Sequence, residues 1–510
     1  MKKILLLSFF CSIFLQAFGQ LKGHCGFVAT DDFIQRTLEN KKHYDQYLME
    51  TRSPEIRYIP INFIITGSTN GNQVAAKEEK VLDMLCRLNE TYLEGNIQFY
   101  IKNGFEYIYN DNVYDNPGLA NALFITPSRE PQAMDVLIGK NASSGGSLGI
   151  TLGHYNPNTD WIVIKTSEVN YSSETFPHEV GHYLSLNHPH NGWDNDPYDE
   201  AVHGNPVSIT SSPTNSSIPI ELANGSNCET SGDFLCDTPA DYNLGFGWPN
   251  CNYDGGVMDP QGTPLDPDEN NFMGYFLECA NDYSFTDQQM ALVNADVDYR
   301  TTVNNSLNIS DWSPIATSID GEVSMEFPAD NETLEYYNNF ELKWNLPEGA
   351  TRSLIEISEN FLFLTTHFKD IVYGNSMWVD SDFLSPNKQY YVRIRPFNDY
   401  VTCTAFSDSF TFTTGLSTNT EEPVVDLNWS VAPNPIMGGS SVRVYGDFEN
   451  STDLNIQLIS SAGQVIEEQF KSAQPGSFFT TLNTSDLSAG VYFVRLNTTA
   501  GVSVKKLIVQ

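Results

Sequence analysis

Apolar and polar positions in the first half of the chain follow two periods, one typical of strands and one typical of helices. Short runs rich in apolar residues predict strands at 58–65, 96–101, 134–138 and 161–164. Residues 75–94 instead carry apolar side chains at helical spacing: Val81, Leu82, Met84, Leu85, Leu88 and Leu93. A second helix is expected to begin near residue 173. This order predicts a twisted mixed sheet backed by helices.

The second half of the chain has a different pattern. Residues 316–415 and 428–510 contain short alternating strands, with a polar linker around 416–427 between them. The tract 190–270 is rich in Asn, Asp, Gly, Pro and Ser and predicts a long ordered loop. We therefore expect an α+β domain with an irregular lower subdomain, followed by two all-β sandwich domains.

The first 19 residues predict a secretory signal peptide. Two lysines at the start, an apolar stretch and small residues at the last and third-last positions before Gln20 form this pattern. No other apolar run approaches the ~20 residues that span a bilayer. We therefore expect the chain to leave the cytoplasm and to have no transmembrane segment.

The composition of the chain argues against some classes of binding partner. The net charge of −37 and the isoelectric point near 4.3 argue against nucleic acid and anionic membranes as partners. Hydrophobic residues at 40% and aromatic residues at 12% exclude a largely disordered chain. We expect a monomer.

The chemistry is concentrated at residues 178–188, His-Glu-Val-Gly-His-Tyr-Leu-Ser-Leu-Asn-His. His178 and His182 are four residues apart, so a helix presents both imidazoles on one face, as two ligands of one zinc ion require. His188 can join them only if the helix ends first. Three imidazoles leave one tetrahedral position open, which is typical of a catalytic zinc site. A helix that merely carries surface histidines is the alternative, and 9 His in 510 residues seldom give this spacing.

This stretch resembles the HExxHxxGxxH signature of the metzincin metallopeptidases. Residues 270–275, Asn-Asn-Phe-Met-Gly-Tyr, resemble the tight turn of that family, with Met273 beneath the metal. The likeness is to the pappalysin family in particular, which residues 232–239, Gly-Asp-Phe-Leu-Cys-Asp-Thr-Pro, also match. The resemblance covers about residues 24–295 and implies a metzincin catalytic domain over 53–300. An ordinary core methionine is the alternative for Met273.

One position departs from the signature. The family has Gly where this chain has Ser185, at the point where the helix ends and a positive φ is favoured. Serine adopts that conformation at a cost of about 1 kcal/mol, and Asn187 tolerates it better. The departure leaves His190 as a competitor of His188 for the third ligand position.

The resemblance implies a secreted zinc endopeptidase that acts on proteins or peptides. A zinc-bound water hydrolyses the peptide bond with Glu179 as general base. Tyr275 resembles a tyrosine that some metzincins place near zinc; it could hydrogen-bond the developing oxyanion, or it could be a packed aromatic. Glu278 could place a carboxylate in the pocket for the residue after the scissile bond and favour Arg or Lys, unless it faces solvent.

The cysteines divide into three groups once Cys11 leaves with the signal peptide. Cys228, Cys236, Cys251 and Cys279 are expected to form two disulfides. Sequence permits three pairings, of which the family likeness favours Cys228–Cys251 with Cys236–Cys279. Cys86 and Cys403 are expected to be buried free thiols.

Cys25, near the new amino terminus, is the odd cysteine. Metzincin pro-segments often keep the enzyme latent with a cysteine at the open position of zinc, so Cys25 is a candidate zymogen switch in a pro-segment over 20–52. A stray thiol near a flexible terminus is the alternative. Activation would then need a cut, for which Arg52 or Arg57 is expected.

A second metal is suggested by carboxylates in the loop tract. They could hold Ca²⁺, as the family likeness implies, or be solvated acids. They are Asp194, Asp196, Asp199, Asp233 and Asp237.

The two carboxy-terminal domains carry resemblances of their own. Residues 340–344 and 384–395 look like strands of a fibronectin type III sandwich, which implies a spacer or substrate-docking module. Four motifs at 431–435, 461–465, 487–492 and 504–509 resemble the C-terminal sorting domain of proteins exported by the type IX secretion system of Bacteroidetes. That resemblance implies contact with the secretion machinery and a protein that is secreted or held at the outer-membrane surface.

Two rival functions stay open. One is a surface binding or adhesion protein with a vestigial peptidase domain, against which the intact His178, Glu179, His182 and His188 argue. The other is a zinc enzyme that acts on something other than peptides, against which the methionine turn and Cys25 argue.

Overall fold

A computed structural model describes the chain over most of its length, in residues 24–49, 56–143, 150–277, 279, 283–310, 318–379, 383–419, 427–436, 441–448, 451–460, 464–474, 476–484, 487–498 and 501–510. The predicted signal peptide, Arg52 and Glu278 lie outside these ranges. The chain divides into two units, Met1–Trp312 and Ser313–Gln510. Among the described residues, no helix combines the length and the apolar character that crossing a bilayer requires.

A six-stranded sheet forms the centre of the first unit. Its strands are β1 (His24–Cys25), β2 (Arg57–Gly67), β3 (Ile97–Tyr109), β4 (Met134–Gly139), β5 (Thr151–Asn156) and β6 (Trp161–Lys165). They lie in the order β1-β5-β6-β4-β2-β3. Only the β5–β6 pair is antiparallel, so the sheet is mixed, in agreement with the prediction. Strands β1 and β5 had not been predicted.

Eight helices are described in this unit. They are α1 (Asp31–Lys41), α2 (Asp45–Met49), α3 (Glu78–Tyr92), α4 (Asp111–Asp115), α5 (Ala122–Ile125), α6 (Thr175–Tyr183), α7 (Glu200–His203) and α8 (Asp287–Asp298). The predicted apolar face of α3 is buried except for Leu93, which lies just beyond the helix end and is 60% exposed. Helix α8 begins at a capping box between Thr286 and Gln289.

Strand β2 explains where the core lies. Ile59, Ile61, Phe63, Ile64 and Ile65 are all fully buried, although successive side chains of a strand point to opposite faces. Both faces of the sheet are therefore covered at β2, as expected for a strand with parallel neighbours on both sides.

Below the sheet, the chain between α6 and α8 is largely irregular, as predicted, and two disulfides join parts of it. Cys228 is bonded to Cys236 and Cys251 to Cys279, with Cα–Cα distances of 5.1 and 5.0 Å. The expected pairing of Cys228 with Cys251 and Cys236 with Cys279 is therefore wrong. Each bridge closes a loop between neighbouring cysteines in the sequence, because the turns of this region fold back locally.

The two remaining cysteines of the folded domains also differ from expectation. Cys86 and Cys403 are both disulfide-bonded rather than free. Cys25 is the free cysteine of the described residues, and it is buried.

The second unit begins with a sandwich of two sheets. Its strands are β7 (Ser324–Phe327), β8 (Glu332–Thr333), β9 (Phe340–Asn345), β10 (Arg352–Ser358), β11 (Phe368–Tyr373), β12 (Ser376–Val379), β13 (Gln389–Phe397) and β14 (Phe410–Thr413). The sheets have the orders β12-β9-β7 and β11-β10-β13-β14-β8. Trp344 is fully buried in the shared core and its indole N–H donates to Ser353 Oγ at 2.8 Å.

A second all-β domain follows. Its strands are β15 (Trp429–Ala432), β16 (Ser441–Phe448), β17 (Thr452–Ser460), β18 (Val465–Ala473), β19 (Gly476–Asn483), β20 (Gly490–Thr498) and β21 (Gly501–Val509). They form sheets of the orders β15-β16-β19 and β18-β17-β20-β21 around one apolar core. The prediction of two all-β domains at the carboxy-terminal end is confirmed.

Candidate metal centre

Helix α6 and the turn after it place the three histidines of the motif. Pro177 lies in the first turn of the helix, where its missing N–H costs nothing. The helix ends at Tyr183, and Ser185 then takes φ = 73°, so the residue at the family's glycine position carries the left-handed conformation itself. Asn187 does not share it. This turn directs the chain back towards the helix, where His188 follows.

The structure brings the Nε2 atoms of the three histidines together. His182 Nε2 lies 3.1 Å from His178 Nε2 and 3.0 Å from His188 Nε2, and the third side of the triangle is 3.3 Å. Two nitrogens that bind one tetrahedral zinc at 2.0–2.1 Å lie about 3.3 Å apart. The donor set and its spacing fit a zinc ion.

The other ring nitrogen of each histidine is held by an acceptor. Nδ1 of His178 lies 2.6 Å from the carbonyl of Phe272, and Nδ1 of His182 lies 2.8 Å from the carbonyl of Leu186. Nδ1 of His188 lies 2.5 Å from Asp194 Oδ1. Each acceptor favours the tautomer with the proton on Nδ1, which leaves the Nε2 lone pair for a metal.

Burial keeps these rings neutral. It lowers the pKa of His178 to about 4, and it lowers the pKa values of His182 and His188 well below their usual range. A neutral imidazole is the form that binds a metal, because protonation removes the lone pair.

Glu179 lies beside the histidine triangle and has one free oxygen. Its Oε2 accepts a hydrogen bond from the backbone N–H of Tyr155 at 2.8 Å, which fixes the carboxylate. Its Oε1 is buried and has no hydrogen-bond partner among the described residues. Burial raises the pKa of Glu179 to about 8. A buried carboxyl with a free oxygen beside three imidazoles is suited to exchange a proton with a molecule bound there.

Cys25 covers the triangle from the side of the sheet. Its Sγ and the Nε2 atoms of the three histidines lie within 4.8 Å of one another. Strand β1 positions it: the N–H groups of His24 and Gly26 donate to the carbonyls of Ile150 and Gly153, at 2.9 and 2.8 Å. Burial, and then the charge of Glu179, raises the pKa of the thiol well above its usual value. The thiol and the three imidazoles thus offer four donor atoms close to one another.

Met273 and Tyr275 lie near the triangle, and the ring of Tyr275 is 4.8 Å from that of His188 between centroids. Met273 is fully buried, and its Sδ lies 2.5 Å from the position that a Cβ on Gly181 would take, so the glycine between the two helix histidines lets the methionine pack against the helix. The hydroxyl of Tyr275 donates to the carbonyl of Cys25 at 3.1 Å. Tyr275 therefore already binds a peptide carbonyl next to the histidines.

A cavity of about 420 Å³ opens beside Cys25, between the start of α6 and the segment that follows Met273. Phe272, Phe276 and Leu277 line it on one side, and the acids Glu168 and Glu174 line it on the other. Glu174 is paired with Arg87 at 2.8 Å. Glu168 accepts hydrogen bonds from Ser173 and Thr175 at 2.8 and 3.0 Å, with no arginine or lysine paired to it among the described residues. The predicted pocket acid, Glu278, lies outside the described residues, and Glu168, which belongs to no recognisable motif, was not predicted.

The predicted calcium ligands are mostly engaged by protein donors. Asp194 holds His188, Asp199 caps α7, and Asp237 accepts from Thr286 and Gln288. Asp194, one of the predicted calcium ligands, is therefore the partner of His188 in the structure.

Asp233 is the calcium candidate that is fully enclosed. It accepts from Leu235 and Thr238, while its Oδ2 has no partner among the described atoms. Burial raises its pKa to about 7. Asp196 is half-exposed and lies 4.0 Å from His203. Calcium binding stays a prediction.

His190 is placed close to His188 but outside the triangle. The two rings stack with centroids 4.5 Å apart, and both nitrogens of His190 lack a hydrogen-bond partner among the described residues. Since Nε2 of His188 completes the triangle, the structure favours His188 over His190 as the third member.

Comparisons with known structures give weak likeness. Fibronectin(III)-like modules of Clostridium thermocellum CbhA are 11% identical over 37% of this chain and 92% of that chain, with a TM-score of 0.14. The FN1–FN3 domains of chicken CNTN1 are 12% identical over 38% of this chain and 65% of that chain, with a TM-score of 0.15. An α-L-rhamnosidase from Dictyoglumus thermophilum is 14% identical over 38% of this chain and 29% of that chain, with a TM-score of 0.17.

Comparison with curated proteins gives no match. Residues 430–510 match the family model described as a secretion system C-terminal sorting domain, nearly the range 428–510 that the motifs predict. This domain indicates export by the type IX route, so the protein is secreted or displayed at the cell surface.

Proposed function

We propose that this protein is a secreted zinc endopeptidase of the pappalysin type, made as a latent zymogen. The observation that carries the proposal is the triangle of three neutral imidazoles, with Glu179 on one side and the thiol of Cys25 on another. The thiol of Cys25 makes four protein donors in all, but it comes from the amino-terminal segment rather than from the domain that holds the histidines. A purely structural zinc site would also have no use for the buried, unpaired Oε1 of Glu179. We also propose that residues 316–415 form a fibronectin type III-like accessory sandwich.

His178, His182 and His188 would hold the metal, and Phe272, Leu186 and Asp194 would orient them. Zinc, when bound, lowers the pKa of a water molecule towards neutrality and polarises a peptide carbonyl. The rest of the chemistry belongs to the side chains around it.

Glu179 takes the proton of the attacking water and delivers it to the leaving amine. Its fixed Oε2 leaves only Oε1 to exchange the proton, so one oxygen anchors the side chain while the other reacts. Tyr275 donates its hydroxyl to the substrate carbonyl as negative charge develops there, in the way that it now donates to Cys25.

Cys25 accounts for latency. With the thiol against the triangle and β1 paired to β5, a substrate can reach neither the histidines nor the adjacent sheet edge. Removing residues 24–49 would expose both the histidines and the edge of the sheet.

The cavity beside Cys25 would accept the side chain that follows the scissile bond. Its apolar wall suits a long aliphatic stem, and Glu168 suits a cation at the end of that stem. We therefore propose a preference for Arg or Lys at this position, with Glu168, or Glu278, which lies outside the described residues, as the selecting carboxylate.

The proposal is tested on casein, an unfolded substrate. We expect the purified zinc-loaded protein to leave casein intact until limited trypsin treatment, and then to cleave it until a zinc chelator is added. The uncut Cys25→Ala variant should have partial activity, about 10-fold or more above the uncut wild type, because one obstacle has been removed. Fragment mass spectrometry gives the residue after each cut.

One equivalent of zinc without cleavage, in protein from which trypsin has removed residues 24–49 as mass spectrometry shows, would contradict the proposal. That result would favour the alternative, a surface binding or adhesion protein with a vestigial peptidase domain, since display at the surface and an accessory sandwich suit both functions.

The Tyr275→Phe variant separates a catalytic from a packing role for this residue. We expect kcat to fall about 10²-fold with little change in KM, because the hydroxyl acts on charge that develops in the transition state. Steady-state kinetics on a peptide that contains one cleavage site would measure both constants. Unchanged kcat would leave Tyr275 as a packed aromatic, and the Tyr283→Phe variant, in the same cavity wall, is the matched control.

A further inference from the structure

Helix α1 meets the turn at residues 183–188, between the second and third histidines, at a buried polar site. The site consists of the carboxylate of Asp296, the hydroxyls of Ser185 and Tyr155, and the carbonyl of Tyr183; we call these four groups the guanidinium site. Ser185 and Asp296 are fully buried. Ser185 Oγ donates to Asp296 Oδ1 at 2.5 Å, so the residue that replaces the family's glycine is part of this site.

Arg36 of α1 fills the guanidinium site. Its Nε lies 3.0 Å from Ser185 Oγ and 3.3 Å from Asp296 Oδ1. Its two terminal nitrogens donate to the hydroxyl of Tyr155 at 3.4 Å and to the carbonyl of Tyr183 at 3.2 Å. The planar fork of arginine thus meets acceptors at all three nitrogens, a pattern that the single ammonium of lysine cannot reproduce.

Two more residues of α1 bind the same loop. Thr37 Oγ1 donates to the carbonyl of Ser185 at 2.9 Å. The amide nitrogen of Asn40 lies 2.9 Å from Ser185 Oγ and 2.6 Å from Asp296 Oδ1. Arg36, Thr37 and Asn40 lie on one face of α1, because residues three and four apart are neighbours on a helix.

The balance of charges in and around the guanidinium site favours a bound cation. Arg300, also fully buried, pairs with Asp296 at 3.0 Å and with Asp160 at 2.9 Å. With Arg36 present, two guanidiniums face two carboxylates. Without it, Asp160 and the buried Asp296 share the single guanidinium of Arg300, and the site keeps one negative charge in excess, which is costly where the dielectric constant is low.

We propose that the guanidinium site holds the pro-segment non-covalently through Arg36, so that a backbone cut between residues 49 and 56 does not by itself release it. This proposal rests on the proposed function in one respect: if the protein is a latent peptidase, release of the pro-segment is its activation. The ligand class is an arginine side chain presented on a helix, here on residues 24–49 of the same chain. Activation then needs a second event, a further cut within that segment or its displacement.

Contacts elsewhere along the pro-segment support retention after a cut. Phe27 stacks on the ring of His182 with centroids 3.9 Å apart. Lys41 binds Glu229 and the carbonyl of Phe234, and Tyr47 on α2 binds Asp298. None of these contacts is covalent, and a cut beyond residue 49 breaks none of them.

The experiment measures whether the cleaved pro-segment stays bound to the protein, and it does not depend on enzymatic activity. The recognition sequence of a site-specific protease replaces residues 50–55 in the full chain, the protein is cut in chelator, and size-exclusion chromatography separates bound from free fragment. We expect the wild-type fragment, and the fragment of a Cys25→Ala variant, to elute with the protein. The Arg36→Ala fragment should dissociate at least about 10-fold faster, with Arg36→Lys between the two.

Gln35→Ala is the matched control, since Gln35 lies on the exposed side of α1. Should Arg36→Ala prevent folding, a synthetic peptide of residues 24–49 with and without that change would compete for protein stripped of its own fragment. Release of the wild-type fragment as soon as metal is chelated, or equal binding of both peptides, would overturn the proposal. Because chelator is present throughout, an inactive enzyme does not alter the readout.

Discussion

Replacing Glu179 by glutamine is expected to lower kcat/KM of the activated protein by about 10³-fold or more, because glutamine cannot accept the proton of the attacking water. The amide keeps the shape of the side chain, and its oxygen can still accept from the N–H of Tyr155. The three imidazoles keep their own acceptors. The variant should therefore fold and bind one zinc.

The measurement combines peptide hydrolysis with metal analysis of the same preparation. Glu90→Gln is the control, since Glu90 is exposed and its carboxylate accepts a hydrogen bond from the hydroxyl of Tyr171, which an amide oxygen can also accept. A Glu179→Gln variant with a tenth or more of wild-type activity at full zinc occupancy would exclude Glu179 as the general base.

Replacing Arg300 by methionine is expected to lower the free energy of unfolding of the first unit by about 3–5 kcal/mol. Arg300 has no exposed surface, pairs with Asp160 and Asp296, and donates twice to the carbonyl of Tyr183. Its guanidinium also lies 3.6 Å from the centroid of the Tyr183 ring. Methionine fills the volume but leaves Asp160 without an ion-pair partner and the buried Asp296 with Arg36 alone, and that loss sets the magnitude.

Scanning calorimetry of the full chain resolves this effect, since separate domains give separate transitions. Lys140→Met is the control: its ion pair with Asp115 is exposed on both sides, and such pairs contribute about 0–1 kcal/mol. An Arg300→Met transition that stays as stable as that of the control would mean that Asp160 and Asp296 find other partners.

The histidine triangle could be predicted from sequence because its geometry is local. His178 and His182 are fixed by helical spacing, and one turn with positive φ at Ser185 returns His188 to them. Strand β2 and helix α3 were also predictable, because their apolar patterns are long and regular.

What could not be predicted depends on contacts between distant residues. Strand β1 has only two residues and forms because β5 pairs with it, so the sequence has no periodic pattern from which this strand could be predicted. Glu168 enters the cavity wall through the loop that precedes α6. The predicted disulfide pairing was wrong for a related reason. It followed the resemblance to a family, whereas the local turns of this loop decide which cysteines meet.

Strand β1 has one more consequence, for the behaviour of the molecule after activation. While it is paired, it closes one edge of the six-stranded sheet. Its departure leaves β5 as a bare edge, a row of N–H and C=O groups that any extended chain can complete. Under the proposed function, the strand that receives substrate is then also the strand through which two molecules could associate. The full sequence has a net charge of −37, and mutual repulsion between such acidic chains opposes that association, although added salt weakens the repulsion.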